Sequence, residues 1–148
     1  LANVIQQSLL ALVLAGVIVV VAHLGFGVTA IPGALSIAMI LLGAVAFSAL
    51  GITLGSFIDD ADAATSLGNA IAFPMMFLSG VFWEISLMPE YLRTVAKLMP
   101  LYHFHRGLRR LMILETTDGA LVPFAILGGG AVAFLVLAVR VSEWQDLD

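Results

Sequence analysis

Few side chains in this sequence could do chemistry, and most of them fall into two groups. Asp59, Asp60 and Asp62 form an acidic loop, and His103 and His105 lie two residues apart. Carboxylates and imidazoles are common metal ligands. Residues two apart on a helix point in different directions, however, and no third ligand is evident near the histidines. We therefore predict no metal site, and we interpret His103 and His105 as polar anchors.

One catalytic and one nucleotide-binding motif are missing from the sequence. Ser79 has Phe77 and Val81 two residues away on either side, so it does not fit G-x-S-x-G. Lys97, the only lysine, follows Ala96 and cannot complete a P-loop. We predict no catalytic residue and no cofactor on this chain. If ATP drives the protein, another polypeptide or a missing domain must bind it.

The composition is that of a membrane protein. Of the 148 residues 61% are hydrophobic and 11% are charged, and the mean hydropathy is +1.11. A soluble domain is nearer 45–50% apolar and about 25% charged. One core of this size cannot bury the excess, so we expect much of it to face lipid. The net charge of −4 provides no basic surface for nucleic acid, and the absence of cysteine excludes disulfides.

Four segments are long and apolar enough to cross a bilayer, which takes about 20 residues. They are 2–24, 34–58, 63–83 and 120–139, and a turn rich in glycine and proline over 25–33 separates the first two. Barrel strands would alternate apolar and polar residues, and this alternation is absent. We predict an all-α, polytopic membrane protein with one transmembrane domain over 1–148. Because the chain begins at Leu1 rather than at a methionine and is apolar from the start, we expect a fragment of a longer protein that lacks its beginning.

Two short amphipathic helices are predicted between the last two spans, at 89–99 and 101–114, with Pro89 and Pro100 at their starts. Their apolar residues recur at helical spacing, and the charged residues, together with His103, fall on the opposite faces. We expect both helices to lie in the membrane surface. A cap packed on the helical bundle fits the same periodicity.

Three further features leave alternatives open. Gly51 and Gly55 have the spacing of a close helix contact, which could lie within one subunit or between two. Pro74 could be a structural kink or a hinge beside a substrate path. Glu84 follows the third predicted span and could hold Arg106 or Arg109, or mark a solvated end of that span.

The region from 78 to 109 resembles the permease subunits of ABC exporters of the type-2 class. The resemblance is carried by Leu78-Ser79-Gly80-Val81, Met88-Pro89, Pro100-Leu101-Tyr102-His103 and Arg109. Upstream, Ser66-Leu67-Gly68-Asn69 and Phe73-Pro74 are similar to the fifth span of that family. The resemblance identifies the chain as the last four of six spans. Its motif residues are Ser79, Gly80, Pro89, Pro100 and Arg109.

This resemblance implies an exporter subunit in the plasma membrane of a prokaryote. Two permeases would pair, as a homodimer or a heterodimer, above two ATP-binding subunits that carry ATP and Mg²⁺. Asp59, Asp60 and Asp62 would contact the ATP-binding subunit. The residues expected to line the substrate path are Asn69, Phe73, Pro74, Phe77 and Ser79.

Two arguments disagree on the orientation of the chain in the membrane. Five of the six basic residues lie between the third and fourth spans, and the positive-inside rule would place this loop in the cytoplasm. The family resemblance places it outside, and we follow the family because upstream spans usually dominate orientation.

The main alternative function is an ATP-independent secondary transporter or a structural membrane protein. Proteins that couple transport to ions tend to carry ionisable residues within their spans. None of the four predicted spans has a charged residue well inside it, which weakens this alternative.

Overall fold

A computed structural model describes residues 2–27, 32–114 and 116–145 of the chain. All regular secondary structure in these ranges is helical, which confirms the all-α prediction. The elements are α1 (Ala2–Phe26), α2 (Ala34–Gly55), α3 (Ala61–Leu78), a 3-10 helix (Ile85–Leu87), α4 (Glu90–Ala96), α5 (Pro100–Met112) and α6 (Leu121–Gln145).

Three described helices are long and apolar enough to cross a membrane, within the ranges Leu9–Phe26, Ala34–Gly55 and Leu121–Ala138. They correspond to the first, second and fourth predicted spans. The third predicted span, 63–83, is a shorter helix that begins at Ala61 and ends at Leu78. It is more polar than the others because it contains Asp62 and Asn69. A fourth crossing therefore stays a prediction.

The helix ends differ from the predicted ends for local reasons. Beyond the end of α1, Gly27 has φ +65, and the following residues of the predicted turn, 28–31, lie outside the described residues. Helix α2 ends at Gly55 instead of 58, and the Ser56 hydroxyl donates to the Thr53 carbonyl at 2.8 Å. Residues 146–148 also lie outside the described residues.

The core lies where α2 packs against α6. Met39, Ala46, Leu127 and Ala131 are almost fully buried there. Deeper along the same contact, the Thr53 hydroxyl lies 2.8 Å from the Ala49 carbonyl of its own helix and 2.9 Å from the Phe134 carbonyl of α6. Small residues on both helices allow the close approach that makes this hydrogen bond.

Helix α5 packs along α2 through two glycines. A Cβ on Gly43 would collide with the Phe104 ring, and a Cβ on Gly107 would lie 2.6 Å from Met39 Cε. As α5 advances from Phe104 to Gly107, its partners on α2 step back from Gly43 to Met39, so the two helices run antiparallel. Phe104 also meets Phe47 edge to face, with ring centroids 6.0 Å apart.

These contacts cover part of the apolar face of α5 with protein. Phe104, Leu108 and Leu111 are partly buried against the α2–α6 core. This packing favours the alternative of a cap on the bundle over a helix whose apolar face lies in lipid. Both helices are shorter than predicted. Pro89 precedes the first residue of α4, and the Leu98 and Met99 amides turn back to the Val95 and Ala96 carbonyls.

Gly51 and Gly55, the predicted close-contact pair, have open space where a Cβ would point. Gly51 instead lines an apolar cavity of about 240 Å³ between α2 and α3. Within the described residues the close helix approach is made by Gly43 and Gly107. Contact of Gly51 and Gly55 with a second chain stays a prediction.

Candidate functional site

The end of α3 is a sharp turn built on Gly80. The Ser79 amide donates to the Met75 carbonyl at 2.9 Å, and the Ser79 hydroxyl donates to Met76 at 2.8 Å. Gly80 then has φ +86, which side-chain-bearing residues rarely adopt. A Cβ on Gly80 would also lie 2.9 Å from Ile85 Cδ1. The Ser-Gly pair therefore ends the helix and directs the chain back toward the bundle.

Polar side chains fasten the segment that follows this turn to backbone carbonyls. One Arg93 nitrogen donates to the carbonyls of Ser86 and Met88, each at 3.1 Å. The His103 ring lies 2.7 Å from the Lys97 carbonyl, and Arg110 donates to the Asp118 carbonyl at 2.6 Å. We predicted His103 on the polar face of its helix, but this was wrong, because the ring is buried where it joins the end of α4 to α5.

His105 joins α5 to the end of α3. Its ring is hydrogen-bonded to the backbone of Ser79. Partial burial and then the neighbouring positive charge of Arg109 lower the pKa of His105, and the hydrogen bond to Ser79 opposes them. The described residues contain no cluster of three potential metal ligands. The role of His105 in this structure is thus a contact between helices.

A polar cavity of about 190 Å³ lies between the Gly80 turn and α5. Its wall includes Gly80, Glu84, Tyr102, His105, Arg106 and Arg109. Two motif residues distant in sequence, Gly80 and Arg109, therefore meet at one site. Glu84 shares the cavity with the two arginines proposed as its partners, yet in the described part of the chain it forms no ion pair with them. Arg106 instead donates to the Tyr102 hydroxyl at 3.2 Å.

A second, apolar cavity of about 270 Å³ adjoins the first, between α1 and α5. Ile18, Val19 and Ala22 form its α1 wall, and Leu108, Met112 and Ile113 form much of its α5 wall. His105 and Arg109 line both cavities. Arg109 thus stands between a polar and an apolar compartment.

The residues predicted to line a substrate path divide into two sets. Asn69, Phe73 and Pro74 are exposed on α3, and Phe77 is half-buried beside them. The Phe77 ring lies 4.8 Å from Phe73, 4.9 Å from Phe82 and 5.7 Å from Trp83, centroid to centroid. Ser79 does not share this surface, because it is 0% exposed. Phe82 and Trp83 were not among the predicted path residues, but both rings extend this aromatic surface beside the Ser-Gly turn.

The three aspartates of the acidic loop have different surroundings. One Asp60 carboxylate oxygen accepts the Ala63 amide at 2.7 Å and caps the N-terminus of α3. Asp59 and Asp62 are exposed, and Phe57 beside them is 69% exposed. Two carboxylates and an aromatic ring are therefore free of the cap and accessible at this end of α3.

Comparison with known proteins identifies relatives of this chain. A model of the ABC-2 type transporter family matches residues 1–113. The chain is also similar to the inner membrane transport permease YadH of Escherichia coli strain K12, of Escherichia coli O157:H7 and of Shigella flexneri. Each is 29% identical over 93 residues, which is 59% of this chain and 36% of the relative. The chain thus spans about a third of these curated relatives. No solved structure gives a significant match.

Proposed function

Because the chain belongs to the ABC-2 type transporter family, we propose that it is part of the permease subunit of an ATP-driven exporter in a prokaryotic plasma membrane. In this proposal the chain is not itself an enzyme, and a separate subunit binds ATP and Mg²⁺. The match over residues 1–113 is the observation that carries the proposal. The three apolar helices support a multi-pass membrane protein.

The proposal places α3 as a fourth crossing. Its 18 residues are about 27 Å long at 1.5 Å per residue, close to the roughly 30 Å of the hydrocarbon core. The acidic loop before α3 would then face the cytoplasm, and the segment after it would face outside. Lipid-exposed polar groups are costly in a single helix, so we expect Asn69 to face a neighbouring permease subunit or the substrate.

The substrate path would follow the exposed face of α3. Asn69 offers a polar contact, and Phe73 and Phe77 offer aromatic ones, with Phe82 and Trp83 extending the surface. The Pro74 ring removes one backbone donor from this helix, which allows it to bend during transport. Pairing with a second permease would enclose this face, as a homodimer or a heterodimer.

The contact with the ATP-binding subunit would involve Asp59 and Asp62. Their exposure leaves both carboxylates accessible to basic residues of a partner, whereas Asp60 is engaged in the helix cap. Exposed charges of this kind set association rate and specificity more than affinity. Phe57 would supply the apolar part of the same contact.

Co-purification tests this function without knowledge of the substrate. The full-length permease, tagged and extracted in detergent, should retain an ATP-hydrolysing subunit encoded beside it. Asp59→Asn with Asp62→Asn should weaken that association, and exposed Arg140→Gln on α6 serves as the control. A permease that transports after removal of every ATP-binding subunit would overturn the proposal and favour a secondary transporter.

A further inference from the structure

The polar and apolar cavities beside α5 together have the shape and chemistry of a lipid site. One compartment contains Arg106, Arg109 and Glu84, and the other is lined by aliphatic residues of α1 and α5. Because His105 and Arg109 belong to both walls, the compartments adjoin at these side chains. We propose that they hold one membrane phospholipid whose head group combines a phosphate with an amine, as phosphatidylethanolamine does.

The charges of the polar compartment match both ends of that head group. Arginine binds phosphate through several planar donors, and two arginines line this cavity. The Arg109 side chain makes no hydrogen bond within the described residues, and one Arg106 nitrogen donates to the Tyr102 hydroxyl. Glu84 has no cationic partner within the described chain, and its carboxylate is complementary to an ammonium group.

The apolar compartment has the surface that an acyl chain needs. Ile18, Leu108 and Met112 line it, and its volume is about 270 Å³. Burial of aliphatic surface contributes about 0.8 kcal/mol per CH₂ group. A chain between α1 and α5 would cover part of α1, where Val17 and Ile18 are more than half exposed.

The position of the cavity wall along α1 places the adjoining polar compartment at the level of lipid head groups. Val19 and Ala22 lie within the last two turns of the candidate span, about 6–10 Å from its end at Phe26. Long arginine side chains near a span end extend toward the membrane surface while their stems stay in apolar surroundings. Arg109 meets this description, since it lines the apolar wall and the polar cavity.

Direct binding measurements on the full-length protein in detergent test this inference. Native mass spectrometry would follow titration with dioctanoyl phosphatidylethanolamine, dioctanoyl phosphatidylglycerol, dioctanoylglycerol and inorganic phosphate. We expect phosphatidylethanolamine to bind about tenfold more tightly than each of the others. Equal binding of dioctanoylglycerol would show that the site is a purely apolar crevice. Equal binding of phosphate would show a free-anion site, and equal binding of phosphatidylglycerol would show that the amine plays no role. Each of these results would overturn the proposal.

Variants locate the binding within the fold. Arg109→Gln should weaken phosphatidylethanolamine about tenfold, and Glu84→Gln should remove the preference over phosphatidylglycerol. Lys97→Gln is the matched control, because Lys97 is an exposed cation of the same segment that lines neither cavity. If Arg109→Gln does not fold, Ala22→Phe fills the apolar cavity and should weaken lipid binding equally. Unchanged binding in the folded variants would refute the lipid site. That result would leave the proposed function standing, because the co-purification of the ATP-binding subunit tests it separately.

Discussion

The segment after α3 and the exposed face of α3 itself are adjacent in sequence but differ in how their side chains are used. In the segment from Ser79 to Met112, the polar side chains of Arg93 and His103 bind backbone carbonyls, and the apolar face of α5 is packed on the core. On α3, Asn69 and Phe73 are exposed, and the Phe73 ring lies beside the Phe77 ring, with centroids 4.8 Å apart.

This difference separates residues that maintain the fold from residues that are free to act on something else. A side chain that satisfies a backbone carbonyl cannot leave without exposing an unpaired polar group. The exposed side chains of α3 carry no such cost. We therefore expect substitutions in the first region to change stability, and substitutions in the second to change transport.

The largest effect on stability is expected where α5 meets α2. Gly107→Leu would place a side chain against Met39 and against Pro123, whose Cβ is 3.1 Å from the site of a new Cβ. Overpacking of this kind costs about 1–3 kcal/mol. Thermal unfolding of the detergent-purified protein would measure it. Gly129→Leu, at an exposed glycine of α6 with open space around it, is the control, and equal melting temperatures for the two variants would contradict the packing described here.

A smaller loss is expected at the turn after α3. Gly80→Ala forces a Cβ into a backbone region that costs roughly 1–2 kcal/mol for other residues, and it presses on Ile85. The same thermal unfolding measurement would detect the loss. Gly68→Ala, within α3 and facing open space, should be neutral or slightly stabilising because alanine favours helix. A Gly80→Ala protein as stable as Gly68→Ala would show that the turn tolerates a side chain.

A further effect depends on pH. Because the pKa of His105 is lowered in the fold, the unfolded chain binds the proton more readily, and stability is lost as pH falls below about 6.5. The neighbouring charges are Arg106, Arg109 and Glu84 in the same cavity. Melting temperatures between pH 7.5 and pH 5.5 should fall more in the native protein than in His105→Gln. Parallel curves would mean that His105 titrates alike in both states.

The smallest change in stability is expected on the exposed face of α3. Phe73→Ala should alter the unfolding free energy by less than about 0.5 kcal/mol, as is usual for exposed positions. Its ATP-driven transport, or the ATP hydrolysis of the assembled complex, should change about threefold or more, which corresponds to about 0.7 kcal/mol. Val132→Ala, at an exposed position of α6, is the control. A Phe73→Ala protein with normal activity would remove this face from the substrate path.

The sequence was sufficient for the features that depend on local chemistry. Apolar length located α1, α2 and α6, and the two prolines located the starts of α4 and α5 to within a residue. The Ser79-Gly80 pair of the motif lies at the turn that ends α3. These features follow from the residue itself and its immediate neighbours.

The features that the sequence did not reveal depend on contacts between distant helices. The spacing of Gly51 and Gly55 suggested the close approach, but Gly43 and Gly107 make it, since the partner side chains Phe104 and Met39 come from other helices. Periodicity predicted His103 on a polar face. Its ring is buried instead, because it is hydrogen-bonded to the Lys97 carbonyl. Periodicity describes one helix, and these contacts join two.

The hydroxyl of Thr53 has one proton and two carbonyls within reach, one on its own helix and one on α6. If α6 moves away from α2, the Thr53 hydroxyl still donates to the Ala49 carbonyl. Separation of the two helices therefore leaves no unpaired donor in apolar surroundings. The contact between α2 and α6 therefore includes a hydrogen bond that opens and recloses at little energetic penalty.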